Sequence, residues 1–297
     1  MDVFWLQLFA GLSIASILLL IALGLTFTFG QMGVINMAHG ELIMAGAYTS
    51  YVLQKEVFGA GRAGTSFLIA VPVAFLAAGT IGVILERLII RHLYGRPLDT
   101  LLVTWGISLM MQQGARDLFG APNVQLAAPE WLQSSLTVGD LSFAWSRIFI
   151  MGLVIATVPA VGFFLTRLPQ GRRMRAVMQN RQLAACSGIS TARVDMLTFF
   201  IGAGLAGIAG VAIGLIGPIG PNLGTYYIVD AFLVVIVGGL GQMRGAVVAA
   251  LVIGVMNAFV EYGTTTSVAK VIVFAAIIVF LQFRPQGLVV LRSRALT

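Results

Sequence analysis

The chain is a succession of long apolar runs cut by short polar or glycine-rich breaks. Reading runs against breakers gives nine hydrophobic elements, near 4–29, 32–53, 66–90, 97–119, 146–168, 194–216, 226–240, 246–262 and 268–283. Several approach or exceed the length that crosses a hydrocarbon core. The pattern therefore predicts an all-α, polytopic transmembrane bundle of about 8–10 membrane elements, forming one continuous domain over 1–297. Two elements depart from it: 32–53 is polar and 226–240 is short. Either is a candidate for a re-entrant or broken element instead of a full span, which is tolerated only where protein or a cavity covers the backbone. One such element would move the N-terminus inside.

Composition agrees with this class. Hydrophobic residues make up 59% of 297 and charged residues 10%, with a mean hydropathy of +0.97, far from globular averages. The net charge of +7 lies in a few short loops. Arg87, Arg91 and Arg96 form one group, and Arg167, Arg172, Arg173, Arg175, Arg181 and Arg193 a second, with Arg244, Arg284, Arg292 and Arg294 further on. This is the positive-inside pattern, so these segments are expected to be cytoplasmic. Nine crossings then leave the N-terminus outside and the C-terminus inside. The polar interval 120–145, which contains Asp140, and the turn near 217–225 fall outside, with Trp131 and Trp145 as interfacial anchors. No basic-aromatic platform accompanies the charge, so nucleic acid is not an expected partner. Cys186 is the single cysteine, which excludes an intrachain disulfide and a multi-cysteine zinc site. The N-terminal run is too long for a signal h-region and reads as a retained first helix.

Small residues recur every fourth position at Ala206, Gly210 and Gly214, with Ala203 and Gly207 as a second row. They predict close helix packing and nothing about cargo. A polar break followed by a small-residue helix occurs near 30–48 and again near 217–241, a hint of duplication; paired broken segments are a common way to build a midplane site.

The candidate chemistry lies in polar groups at membrane depth. Asn36, His39 and Glu41 sit within Gly33–Glu41, and ionisable groups there ordinarily face a bundle interior or an aqueous path. The competing reading is interhelical hydrogen-bond glue. On one helix, Asn36, His39, Gly40 and Ile43 share a face and Glu41 turns away from it. Glu41 must then find a donor or be protonated. Thr104, Gln112, Gln113, Asp230, Asn257 and Glu261 are further polar groups at depth, the last two on one helical face. Together they suggest a path for something polar. Enzyme signatures are missing: no Walker A motif, no Gly-x-Ser-x-Gly frame, and only two histidines, His39 and His92, in separate elements. No catalytic residue, metal site or cofactor is expected. The cytoplasmic stretch 171–193 predicts a short amphipathic helix ending at Gly188, able to enter a groove on another protein or simply to carry positive-inside charge.

Taken with the Asn36-Met37-Ala38-His39-Gly40-Glu41 core, the Arg172–Ile189 loop and the Arg284-Pro285-Gln286-Gly287 tail, the chain resembles the permease subunits of ABC importers for branched-chain amino acids and urea, from about Gly11 to Gly287. Phrases such as Arg91-His92-Leu93-Tyr94-Gly95-Arg96-Pro97-Leu98 and Tyr227-Ile228-Val229-Asp230 look closer to the urea importer. The resemblance implies a type-II-like permease half in a bacterial inner membrane, passing urea or a short amide, or alternatively an amino acid. It implies four kinds of contact: a second homologous permease, two cytoplasmic ATPase subunits, a periplasmic binding protein and the lipid bilayer. It also implies that 179–188 is the coupling helix seated on the ATPase, with Arg175, Gln179, Ala184, Ala185 and Gly188 as its coupling residues; Leu183 stands where the wider family has Glu. The rival class is a passive urea or amide channel working alone. The substrate-path candidates are Asn36, His39, Glu41, Thr104, Gln112, Asp230, Asn257 and Glu261.

Overall fold

A computed structural model describes residues 2–59, 63–138 and 141–289. Helix α1 (Asp2–Met32) runs 31 residues, longer than a span requires, and is buried along most of its length from Gly11 onward. It stops where Gly33 takes a φ of 63°, a left-handed conformation open to glycine at little cost. After the irregular stretch 33–38 the chain restarts as α2 (His39–Val52), extended by a π-helical segment over Leu53–Phe58. Helices α3 (Ala63–Leu88) and α4 (Pro97–Phe119) follow, joined by a 3-10 turn at Ile90–Leu93. Proline in its first turn suits α4, because an N–H there has no helical partner to lose.

Then come the single turn α5 (Glu130–Gln133), a small antiparallel hairpin β1 (Ser135–Val138) and β2 (Leu141–Ala144), and helix α6 (Trp145–Arg167). Helices α7 (Pro169–Gln179) and α8 (Arg181–Cys186) lie in the arginine-rich loop. The chain ends its described part with α9 (Thr191–Ile216), α10 (Leu223–Gly238), α11 (Met243–Gly263) and α12 (Thr266–Phe283). Among the described residues six helices, α1, α3, α6, α9, α11 and α12, are long and apolar enough to cross a membrane. The length and composition of these helices are those of a multi-pass membrane protein.

The two halves run through the bundle in opposite senses. The C-terminal end of α1 meets the arginine-rich side, where Gly30 packs on Gly241 and Met178, while Phe9 near its start packs on Phe143 of the hairpin. Helix α9 leaves the arginine-rich side and ends near Val124, whose backbone pairs with Ile219. Both long helices are followed by a break and a short helix: α1 by 33–38 and α2, α9 by 217–222 and α10. Small residues allow the pairing between halves. Gly24 of α1 meets Gly202 of α9, Gly11 and Ala15 of α1 meet Gly254 of α11, and Gly207 and Ala203 of α9 meet Ala74 and Gly82 of α3. Gly210 sits against the Ile43 carbonyl. A long helix, a break and a short helix thus occur twice, in opposite senses.

Three expectations need correction. Asn36 does not share a helical face with His39, because the helix begins only at His39 and Asn36 lies in the preceding break. The loop 171–188 is two helices rather than one, divided at Asn180, whose φ of −156° takes it out of helical geometry. The interval 120–145 contains the β-hairpin within an otherwise all-α chain. That interval packs on the π-helical extension of α2 and on the C-terminal part of α9: Ala127 exchanges two hydrogen bonds of 2.8 Å with the Gln54 amide, and Leu126 sits on Gly214. Asp140, Arg292 and Arg294 lie outside the described residues.

Candidate functional site

The polar candidates separate into two groups and an exposed arginine-rich surface. The first group surrounds the point where the N-terminal ends of α2 and α10 meet. Gly40 and Gly224 touch backbone to backbone there, each having no room for a side chain. Glu41 is buried and turns away from this contact, as its position in the helix requires. Its Oε1 accepts 2.8 Å hydrogen bonds from Ser108 Oγ and Gln112 Nε2 of α4. The Gln112 amide also donates to Thr225 Oγ1 of α10 at 3.0 Å. The carboxylate thus ties α2 to α4, and Gln112 carries the tie on to α10. Thr104, Ser108 and Gln112 recur every fourth position, so they line one face of α4.

The break at 33–38 is held from the same face. Thr104 Oγ1 accepts the Met37 backbone N–H at 3.1 Å and donates to the Leu101 carbonyl at 3.1 Å. His39 Nε2 lies 3.4 Å from the Ile21 carbonyl of α1. Both amide atoms of Asn36, His39 Nδ1, Glu41 Oε2 and Tyr48 Oη are buried with no hydrogen-bond partner among the described residues. Buried polar atoms rarely stay unpaired without a functional or conformational reason. The junction is closed by the Gly40–Gly224 contact, so in this conformation it acts as a polar clasp.

The second group lines an open cavity of about 430 Å³ between α1, α10, α11 and α12, on the side away from the arginine clusters. Asp230, Asn257 and Glu261 all face it, and the structure adds a residue that sequence reasoning missed. Lys270 Nζ on α12 sits 3.3 Å from Asp230 Oδ2 and donates to the Tyr226 carbonyl at 3.3 Å. Thr266 Oγ1 donates to Glu261. Ile14, Leu18, Ile213 and Leu223 supply an aliphatic wall. The signal for Lys270 was visible, a lone cation inside the apolar run 268–283. Gln113 belongs to neither group, since it is exposed and donates to Asp117 at 2.9 Å.

On the arginine-rich side, Asn180 caps α8 by accepting the Leu183 backbone N–H at 2.9 Å. Arg175, Gln179, Ala185 and Gly188 are exposed, whereas Ala184 is buried against the bundle. Leu183, in the place of the wider family's Glu, is 65% exposed, an apolar contact point on a polar face. Gly188 ends the segment with a φ of 79°. Arg181 is held protonated above its ordinary range, chiefly by hydrogen bonding to Asp195. Burial, followed by the charges of Asp195 and Glu86, keeps the Tyr94 hydroxyl from ionising.

No group of three or more His, Cys, Asp and Glu placed to hold a metal occurs among the described residues. The polar candidates thus lie in a cavity, in a tight helix junction and on an exposed capped helix.

A family model described as branched-chain amino acid transport system / permease component matches residues 7–281. The chain is 30% identical over 289 residues to the high-affinity branched-chain amino acid transport system permease protein LivH of Salmonella typhimurium, covering 95% of this chain and 94% of that one. It is 29% identical over 291 residues to the permease protein BraD of Pseudomonas aeruginosa, covering 95% and 94%. It is 24% identical over 303 residues to the permease protein LivM of Escherichia coli, covering 93% and 68%. The chain therefore belongs to the family of permease components of branched-chain amino acid transport systems.

Proposed function

We propose that this chain is one membrane half of an ATP-driven importer that carries a branched-chain or similar apolar amino acid inward. The observation that supports the cargo is the outer cavity. Asp230 and Lys270 lie 3.3 Å apart in it, and an amino acid brings the complementary pair, an ammonium for Asp230 and a carboxylate for Lys270. The aliphatic wall of Ile14, Leu18, Ile213 and Leu223 suits an apolar side chain. Urea carries no charge and would leave that pair unused, so the amino-acid alternative displaces the urea reading drawn from short sequence phrases. The names carried by the LivH and BraD relatives favour the same choice.

The chain's own residues bind, orient and gate. Asn257 and Glu261 extend the polar side of the cavity, and Gly40 and Gly224 keep the inner path shut until α2 and α10 part. Energy for that parting comes from two ATPase subunits seated on α8, with a second homologous permease and a periplasmic binding protein completing the assembly. Motion of packed helices about two breaks is a recognised way to switch access between sides.

The test is uptake by the reconstituted complex supplied with its binding protein and ATP. Labelled leucine is expected to enter and to be competed by isoleucine and valine, while excess urea or acetamide leaves it unchanged. Urea uptake with leucine ignored would overturn the reading.

A further inference from the structure

Arg181, the first residue of α8, reaches back to α9, where its Nη1 lies 2.9 Å from Asp195 Oδ1 and its Nη2 pairs with Oδ2. Asp195 is fully buried. The same Oδ1 accepts Gln31 Nε2 of α1 at 2.9 Å, and Thr198 donates to the other end of that amide. Gln31 stands two residues before Gly33, where the break leading to α2 begins. On its other side the guanidinium lies over the Tyr94 ring, 5.3 Å from its centroid. Tyr94 Oη donates to Glu86 of α3 at 3.0 Å, and α4 starts three residues later at Pro97. The guanidinium therefore touches Tyr94, in the segment that leads into α4, and through Asp195 it is linked to Gln31, at the end of α1 that leads into α2. Helices α2 and α4 are the two joined by Glu41.

A buried carboxylate cannot shed its partners without a large desolvation penalty. The planar fork of arginine fixes direction as well as distance, which a lysine or a surface pair would not. When α8 shifts, Asp195 and Gln31 must therefore follow it. The neighbouring Arg172, Arg173 and Arg175 are exposed and have no such hold on the bundle.

We infer that Arg181 is a positioning residue that transmits displacement of α8, through Asp195 and Gln31, to the break at 33–38, and so resets the clasp between α2, α4 and α10. The inference rests on the reading of α8 as the surface offered to the ATPase.

The experiment uses the assembled complex in liposomes and two readouts. One is the number of leucine molecules moved per ATP hydrolysed. The other needs no cargo: the rate at which a thiol reagent labels Ile35→Cys, in a Cys186→Ser background, with and without nucleotide. Arg181→Met is expected to lower the transport ratio at least about fivefold and to abolish the nucleotide response at position 35. Arg181→Lys, which keeps the charge and loses the fork, should fall between the two and serves if Arg181→Met fails to assemble. An assembled Arg181→Met or Arg181→Lys complex with an unaltered ratio and an unaltered nucleotide response would overturn the inference. If the wild-type complex responds to nucleotide at position 35 yet moves no leucine, the cargo assignment fails while the transmission survives.

Discussion

Replacing Gly40 by alanine tests whether the two broken helices meet as tightly as the structure places them. A Cβ at Gly40 would lie 2.7 Å from the Gly224 carbonyl oxygen and 2.9 Å from its carbon. Both are backbone atoms in the first turn of α10, so no side-chain rotation relieves the clash. Only separation of α2 from α10 does, which disturbs the Glu41 bonds to Ser108 and Gln112. Overpacking of this kind costs about 1–3 kcal/mol. The control is Gly152→Ala in α6, where nothing lies within 4 Å of a Cβ. There alanine should stabilise by about 0.5–1 kcal/mol, because glycine loses more conformational freedom on forming a helix. The two substitutions therefore differ in sign, by about 1.5–4 kcal/mol in all. Denaturant titration of the purified chain in mild detergent, followed by circular dichroism, measures the difference. Equal stability of the two variants would refute the closed junction.

Other expectations concern single contacts. Lys270→Met leaves Asp230 without its partner in the outer cavity, so leucine uptake should drop about tenfold or more, as for loss of a charge-assisted contact of ~1.5–3 kcal/mol; uptake within twofold of wild type would remove the pair from the site. Asn180→Ala deletes the cap of α8 and should cost about 1 kcal/mol locally, seen as reduced copurification of the ATPase with otherwise normal membrane insertion. A double-mutant cycle between Glu41→Gln and Gln112→Leu should return a coupling near 0.6 kcal/mol, the average for side-chain hydrogen bonds inside membrane bundles; a coupling of zero would mean that the 2.8 Å bond does not form in the bilayer.

The apolar runs made the architecture legible, because helix length against bilayer thickness is a strong constraint and arginine placement sets orientation. The run 97–119 coincides with α4, and 146–168 is shifted one residue from α6. Periodicity failed where backbone geometry intervened. Gly33 lets the chain leave α1 and delay α2 until His39, so Asn36 left the helical face assigned to it. Asn180 likewise divided one amphipathic segment by capping the next, a competition between side chain and helix that spacing alone does not reveal. Spatial grouping was partly legible: Glu41, Thr104 and Gln112 lie around one junction, and Asp230, Asn257 and Glu261 line one cavity. Their division into a clasp and a cavity was not, since it depends on helices that meet across nearly the whole chain. The Gln31–Asp195 bond joins residues 164 positions apart, and only tertiary packing brings them into reach.

The most direct test of a conduit powered from outside itself compares leucine flux in two sets of liposomes. One holds this chain alone, and the other holds it with its partner permease, both ATPase subunits, binding protein and ATP. Flux is expected only in the second, and only while ATP is being hydrolysed. Downhill flux of leucine or urea through the chain alone would contradict it and reveal a channel.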